Sequence, residues 1–319
     1  MKFFITGATG FVGCHLRDFL RSPQHRIWGT TYPDKPEVSS EDTLIHLDIR
    51  SEREVFQAIK EVCPDGIFHL AAVSNVRHSW KRRKETVETN IIGTLNLFES
   101  IRQFSPRSRI LFISSSDVYG TGALLRKPLN EEEQLLAMNP YAYTKWSGEI
   151  LCDFYNRVES LDIVIARPFP HTGPGQSPDF VCSDWAHQIA RIEKGVIPPL
   201  IKVGDISVHR DFTDVRDVVR AYARLMEKGR KGEVYNVCSG RSYSLEKILK
   251  TLLSFSTSSI TVKIDSLKIR KADIPRLVGS NRKIRQRISW EPRIPLDRSL
   301  HCLLYTSDAA DEEDSVDLG

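Results

Sequence analysis

No apolar run of about eighteen residues interrupts the chain, and its opening, MKFFITGATGFVG, places glycines where an export signal carries its apolar stretch. A membrane span and a cleaved leader are therefore not expected, and the reading is a cytoplasmic protein. The six cysteines (Cys14, Cys63, Cys152, Cys182, Cys238 and Cys302) form no Cys-x-x-Cys pair and no Cys/His cluster, which argues against a disulfide framework and against a metal site. A nucleic-acid-binding motif is missing too. The last twelve residues carry six carboxylates and no base, so the rest of the chain carries +10 against +4 for the whole, yet its Lys and Arg are dispersed. That pattern suits a doubly charged nucleotide ligand better than nucleic acid, and no nucleic-acid or membrane partner is expected.

What is present is a regular alternation. Short apolar runs at residues 2–6, 25–32, 43–49, 66–72, 109–116 and 162–169 read as strands, and helical patterns such as SEREVFQAIKEV, TNIIGTLNLFESIRQF and YTKWSGEILCDFYNRV lie between most of them. Nearly continuous apolar strands alternating with helices indicate a parallel sheet covered on both faces. The fold class is α/β: a Rossmann-like doubly wound parallel sheet over 1–168, followed by a smaller irregular subdomain over 169–301, rich in Pro and Gly and partly interleaved with the first.

TGATGFVG sets Gly7, Gly10 and Gly13 at GxxGxxG spacing between the first strand and the first helix. Glycines there allow a tight turn, close approach to a pyrophosphate and packing of helix on strand, and the helix N-terminus offers N–H groups to the anion. Thr9, Phe11 and Val12 belong to the same turn and are expected to contact a dinucleotide. An acid at the end of the second strand favours NAD and a base favours NADP; here Thr30, Thr31 and Tyr32 stand in that place with Lys35 slightly beyond, which leans toward NADP(H) and leaves NAD(H) possible. Asp48, next to Ile49, is placed either to meet the adenine amino group or to cap the following helix.

The fifth strand ends in SSSDVYG, and NPYAYTKWSGE follows about twenty residues later. The glycine turn, this serine segment and a Tyr-x-x-x-Lys helix, in this order, resemble the extended short-chain dehydrogenase/reductase superfamily over residues 1 to about 300. The resemblance implies an NAD(P)H-dependent oxidoreductase in which Ser115 is the active-site hydroxyl, and Asp117 stands where dehydratase members keep an acid. Helical spacing then separates the tyrosines: Lys145 shares a face with Tyr141 at i and i+4 and not with Tyr143. Tyr141 is thus the candidate proton donor, and the Lys145 ammonium is expected to bring the phenol down from its usual pKa of about 10. By resemblance Lys145 also bonds the nicotinamide ribose, Leu70, Ala71 and Ala72 in HLAA lie against the cofactor, Asn90 matches a structural asparagine at the cofactor site, and Arg167, followed by Pro168, matches a turn approaching the nicotinamide amide.

In the second half, RPFPHTGPGQSPDF, IKVGDISVHRDFTDVRDVVRAY, GEVYNVCSG and IPRLVGSNRKIRQRISWEPRIPLDRSL look like the nucleotide-sugar branch, most closely the GDP-6-deoxy-4-keto-mannose reductases, relatives of the GDP-mannose 4,6-dehydratases. The implied substrate is a GDP-sugar, reduced at its 4-keto group. A diphosphate calls for guanidinium forks, for which Arg210 and Arg270 are the candidates, with Asp273 accepting from ribose or base and His171 at the sugar. Asp211 and Asp214 read as caps of the helix that follows them. Many relatives have Phe-Asn-His where this chain has Phe169-Pro170-His171, which replaces a substrate-contacting amide with a ring that has no N–H. The family commonly pairs through helices here at about 86–104 and 141–158, so a homodimer is expected. Two rivals remain: a nucleotide-sugar dehydratase or epimerase that recycles a tightly bound NAD(P), and a non-catalytic NAD(P)-binding sensor or scaffold.

The final helix, LDRSLHCLL, passes into YTSDAADEEDSVDLG instead of continuing its amphipathic pattern. That tail resembles adapter read-through found on unrelated reading frames, so 302–319 is expected to be non-native.

Overall fold

The computed structural model describes residues 1–33, 43–125, 127–269 and 274–316. Seven strands form the central sheet: β1 (Lys2–Thr6), β2 (Arg26–Thr31), β3 (Thr43–His46), β4 (Gly66–His69), β5 (Arg109–Ile113), β6 (Asp162–Pro168) and β7 (Val234–Val237). Their order is β7-β6-β5-β4-β1-β2-β3, every pairing is parallel, and the strand order reverses between β1 and β4. Alternate residues of one strand feed opposite cores, as the two-residue period of a strand requires. Phe3 and Ile5 pack with Leu16 and Leu20 of α1 (Phe11–Leu20), whereas Phe4 packs toward Val55 and Ile59 of α2 (Glu52–Val62), Leu97 and Phe98 of α3 (Gly93–Phe104) and Tyr155 of α4 (Pro140–Arg157). Both sheet faces are buried, which is why the strands read as unbroken apolar runs.

β7 comes from VYNV, a segment assigned by sequence to the substrate side. It pairs with β6 from Val234↔Ile165 to Val237↔Pro168 and places Tyr235 and Val237 in the first core. The helix preceding it joins the same layer: α6 (Val215–Lys228) presses Val218, Tyr222 and Leu225 onto the sheet beside α1. The chain therefore crosses to the smaller subdomain and returns to the sheet.

That subdomain is built on α5 (Val181–Glu193), α7 (Leu245–Leu253) and α8 (Leu296–Val316) around Trp185, Ile189, Ile248, Leu252 and Leu300. α8 crosses the expected start of the non-native tail without a break. Leu303 and Leu304 complete a buried stripe with Leu296 and Leu300, so the packed part of this helix extends past Cys302.

Of the two expected caps, Asp214 is the N-cap of α6 and accepts from the Arg216 N–H. Asp211 is not a cap. Its fully buried carboxylate accepts from the N–H groups of Ser239, Gly240 and Gly279 and from the Ser239 hydroxyl, stitching three separate segments together. Among the described residues no helix is long and apolar enough to cross a membrane.

Candidate active site

A cleft of about 1270 Å³ opens where the strands end, in the crevice that a doubly wound sheet offers beside its reversal of strand order. One end is made by the glycine turn. Gly7 has φ +69, and a Cβ on it would stand 3.0 Å from the Ala71 nitrogen; a Cβ on Gly13 would stand 2.3 Å from the Gly7 carbonyl oxygen. Turn, helix and β4 thus meet at distances only glycine permits. No side chain caps α1 at Gly10, which leaves the first-turn N–H groups facing the cleft for a pyrophosphate. This cradle fits a dinucleotide, and Gly7, Thr9, Gly10, Phe11, Val12, Gly13, Ile49, Leu70, Ala71 and Ala72 all line it.

The 2′ end differs from expectation in one residue. Thr31 is buried behind the wall, where its hydroxyl accepts from Thr9 at 3.1 Å, while Thr30 lines the cleft and its hydroxyl accepts from the Gly7 N–H. Lys35 lies outside the described residues. Asp48 does line the cleft, and Ser51 rather than Asp48 caps α2. Burial pushes the Asp48 carboxyl up, but the Arg50 guanidinium outweighs it and holds the group below the usual range. Arg50, bonded to both Asp48 oxygens and to the Tyr32 hydroxyl, is a cleft residue that sequence reading passed over; its place two residues after Asp48 was the available signal.

The floor is held by two buried polar clamps. Asn90 is one: it accepts from the Val73 N–H and donates to the Val73 carbonyl and the Thr144 hydroxyl, tying the loop after β4 to α4. It supports the wall from behind, whereas a cofactor contact was expected. His69 is the other, between the Thr6 and Thr94 hydroxyls at 2.8 and 2.9 Å. The Thr94 proton goes to the Asn90 carbonyl, so Nε2 carries the ring hydrogen and Nδ1 accepts from Thr6. Burial, with the Lys145 charge nearby, pushes His69 down to about 3 and keeps it neutral.

Asn139 caps α4 with Pro140 at its first position, and this aims Tyr141 and Lys145 inward. Both are buried and both line the cleft with Ser115 and Asp117; Tyr143 lies on the exposed face against Trp146. Ser115 bonds the Tyr141 hydroxyl and also accepts from the Asp117 N–H. One expectation about the phenol is corrected. Burial and the Asp117 charge push Tyr141 above its ordinary value, Ser115 works against them, and the Lys145 ammonium donates instead to the Ile113 carbonyl at 2.7 Å. Lys145 itself is lowered to about 8 by burial, opposed by Cys152 and Glu149. Arg167 is also corrected. Its guanidinium lies beneath the site in a two-pronged pair with Glu149, and Pro168 reaches the cleft in its place.

Toward the smaller subdomain the cleft is lined by Pro170, His171 and Arg210. His171 donates from Nδ1 to the Phe169 carbonyl and stacks on Phe11 at 6.1 Å; burial lowers its pKa. Arg210 is braced on the His209 and Ile274 carbonyls at 2.8 and 2.7 Å. Arg270 and Asp273 lie outside the described residues. Four further cations line the cleft that sequence reading did not single out, Arg77, Arg82, Lys202 and Lys268, none of them part of a recognised motif. Among the described residues no group of three or more metal-binding side chains converges.

The family model for GDP-mannose 4,6 dehydratase matches residues 4–301. The GDP-6-deoxy-D-mannose reductase of Pseudomonas aeruginosa is 35% identical, over 95% of this chain and 96% of its own length. The structure of RMD from Pseudomonas aeruginosa complexed with NADPH superposes with a TM-score of 0.86 at 33% identity, covering 97% of this chain and 99% of that one. UDP-glucose 4-epimerase from Thermotoga maritima, solved with UDP-glucose, gives a TM-score of 0.87 at 26% identity, with 96% and 98% covered. The chain belongs to the GDP-mannose 4,6-dehydratase family of extended short-chain dehydrogenase/reductases.

Proposed function

We propose that this chain reduces the 4-keto group of GDP-4-keto-6-deoxy-D-mannose with NADPH, with NADH as the poorer donor. The observation that carries the reading is one continuous cleft in which Ser115, Tyr141 and Lys145 stand between a dinucleotide cradle and a cation-lined second chamber. The likeness to a GDP-6-deoxy-D-mannose reductase supports the choice of sugar nucleotide. When bound, the coenzyme supplies a hydride to the sugar's C4. The residues do the rest. Arg210 and the lysines at 202 and 268 hold the diphosphate end and so orient the ketone. Ser115 donates to the ketone oxygen as charge develops on it, and the Tyr141 hydroxyl delivers its proton there. A phenol held protonated by burial is in the form that can give a proton to an alkoxide, and Ser115, bonded to the Tyr141 hydroxyl, favours the phenolate left behind.

Coenzyme oxidation with GDP-4-keto-6-deoxymannose, compared between NADPH and NADH and followed by NMR of the product, tests this directly. A 4-hydroxy product formed faster with NADPH is expected; no oxidation of either coenzyme would sink the reading. Asp117 favours a second reading, a dehydratase, because that reaction needs an additional acid or base near C5 and Asp117 lines the cleft beside Tyr141. A 4-keto product from GDP-mannose without added NADPH would establish it.

We also propose a homodimer. α4 and its C-cap residue present Tyr143, Ile150, Phe154 and Val158 to solvent on one stripe, and Val87 and Ile92 before α3 are exposed as well. Sedimentation should give twice the chain mass, and Phe154→Glu should return a monomer.

A further inference from the structure

Beneath the wall that carries Ser115, Tyr141 and Lys145 lies a buried polar cluster with no assigned part in the reduction. Glu149 stands on α4 one turn beyond Lys145. Its carboxylate receives Arg167 Nε at 2.8 Å and Nη2 at 2.6 Å, and the Ser114 hydroxyl donates to the same carboxylate. Ser114 precedes Ser115 and is tied by its N–H to the Ala166 carbonyl of β6 at 2.8 Å. Arg167 also donates to the Tyr119 hydroxyl at 3.0 Å, which donates in turn to Asn236 of β7 at 2.8 Å. The paired side chains are 5% and 7% exposed. A buried ion pair is seldom more stabilising than well-packed apolar residues of the same volume, so stability alone gives little reason for it. What the pair joins is informative: the end of β5 that carries Ser115, the helix that carries Tyr141 and Lys145, and the strand that leads to Pro168 in the cleft.

We propose that Glu149 is a positioning residue whose carboxylate, locked by Arg167, sets α4 against the end of β5 and so holds Tyr141 and Lys145 in reach of Ser115. The contact has an electrostatic side. Facing Lys145 are Cys152 and Glu149 on its own helix, the Phe112 ring and Ile113 carbonyl of β5, and neutral His69 of β4, while Asp117 faces Tyr141. Glu149 works against the burial that strips Lys145 of its proton.

The inference rests on the ketoreductase reading for its substrate, and the same assay separates the two. Wild-type protein inert toward GDP-4-keto-6-deoxymannose defeats that reading, and variants are then scored against wild type on whichever nucleotide sugar it converts. The paired variant Glu149→Gln with Arg167→Met removes both charges, so neither is left buried without its counter-ion. It should keep its circular dichroism and its NADPH affinity, hold KM, and lose about tenfold or more in kcat as the reacting groups drift out of register. Its alkaline limb in the kcat–pH profile should move to lower pH, because Lys145 has lost an anion that favours its charged form. Glu149→Asp keeps the charge on a shorter arm, so it should restore the limb while kcat stays below wild type. Wild-type kcat and limb in the paired variant would overturn the proposal, as would a loss of kcat matched by an equal loss of NADPH affinity with the limb unmoved. If the paired variant does not fold, wild-type kcat in Glu149→Asp overturns it alone.

Discussion

The end of the cleft proposed for the coenzyme and the end proposed for the sugar are built by different means. At the coenzyme end, geometry comes from backbone: a glycine turn, a helix N-terminus and strand ends in fixed register, with Tyr141 and Lys145 set by helical spacing. At the sugar end it comes from individual side chains on short two-residue strands and loops, such as Arg210 on His209–Arg210 and His171 on His171–Thr172. Backbone-built sites tolerate little local change but are shared across many chemistries, whereas side-chain-built sites vary with the ligand. Mutations at the first end should therefore act on kcat or abolish coenzyme binding, and mutations at the second should act on the nucleotide-sugar KM.

The largest effect is expected from Tyr141→Phe, which removes the donated proton and leaves the ring: kcat should fall about a hundredfold to ten-thousandfold with NADPH binding retained. Equal activity in this variant would remove Tyr141 from the chemistry. Arg210→Ala comes next. Loss of a charge-assisted contact of about 1.5–3 kcal/mol should raise the nucleotide-sugar KM by about tenfold to a hundredfold, and steady-state titration with NADPH held saturating would show the coenzyme KM unmoved. A shift of both constants together would break the division between the two ends. Pro170→Asn introduces the side-chain amide that the family resemblance leads one to expect there and should alter sugar preference by less than about tenfold, read from relative kcat/KM on two 4-keto sugars.

Two pH effects follow from the buried groups. Lys145, which lines the cleft with Tyr141, stands at about 8, so kcat should decline as pH rises through that value and the cleft wall loses this positive charge. His69 stands at about 3 against about 6.5 in the unfolded chain, where the unfolded state binds the extra proton. Stability contributed by this neutral ring is complete above pH 6.5 and falls as pH drops toward 3, by up to about 1.4 kcal/mol per pH unit. Denaturant melts of wild type and His69→Asn across this window should converge as the pH falls.

The same contrast governs what could be read from sequence. Six strands, the glycine turn and the inward placement of Tyr141 rather than Tyr143 were legible because period and spacing are local properties. β7 was not, because VYNV is four residues long and its place beside β6 is decided by a return of the chain about seventy residues later. Arg167 was misplaced for a related reason: its motif fixes the strand, but only the packed structure shows Glu149 beneath it, eighteen residues earlier. The tuning of Tyr141 was misjudged because helical spacing brings Lys145 to the correct face without saying that its ammonium meets the Ile113 carbonyl. Asp211 looked like a cap from its position and proved to be a buried acceptor for two distant segments.

The most direct test is transfer of a label. NADPH carrying deuterium at the transferable position of the nicotinamide, incubated with GDP-4-keto-6-deoxymannose and this protein, should yield a product deuterated at the sugar's C4, and Tyr141→Phe should suppress its formation. Product without deuterium at C4, or deuterium retained in the coenzyme while the sugar nucleotide is converted, would contradict a ketoreductase.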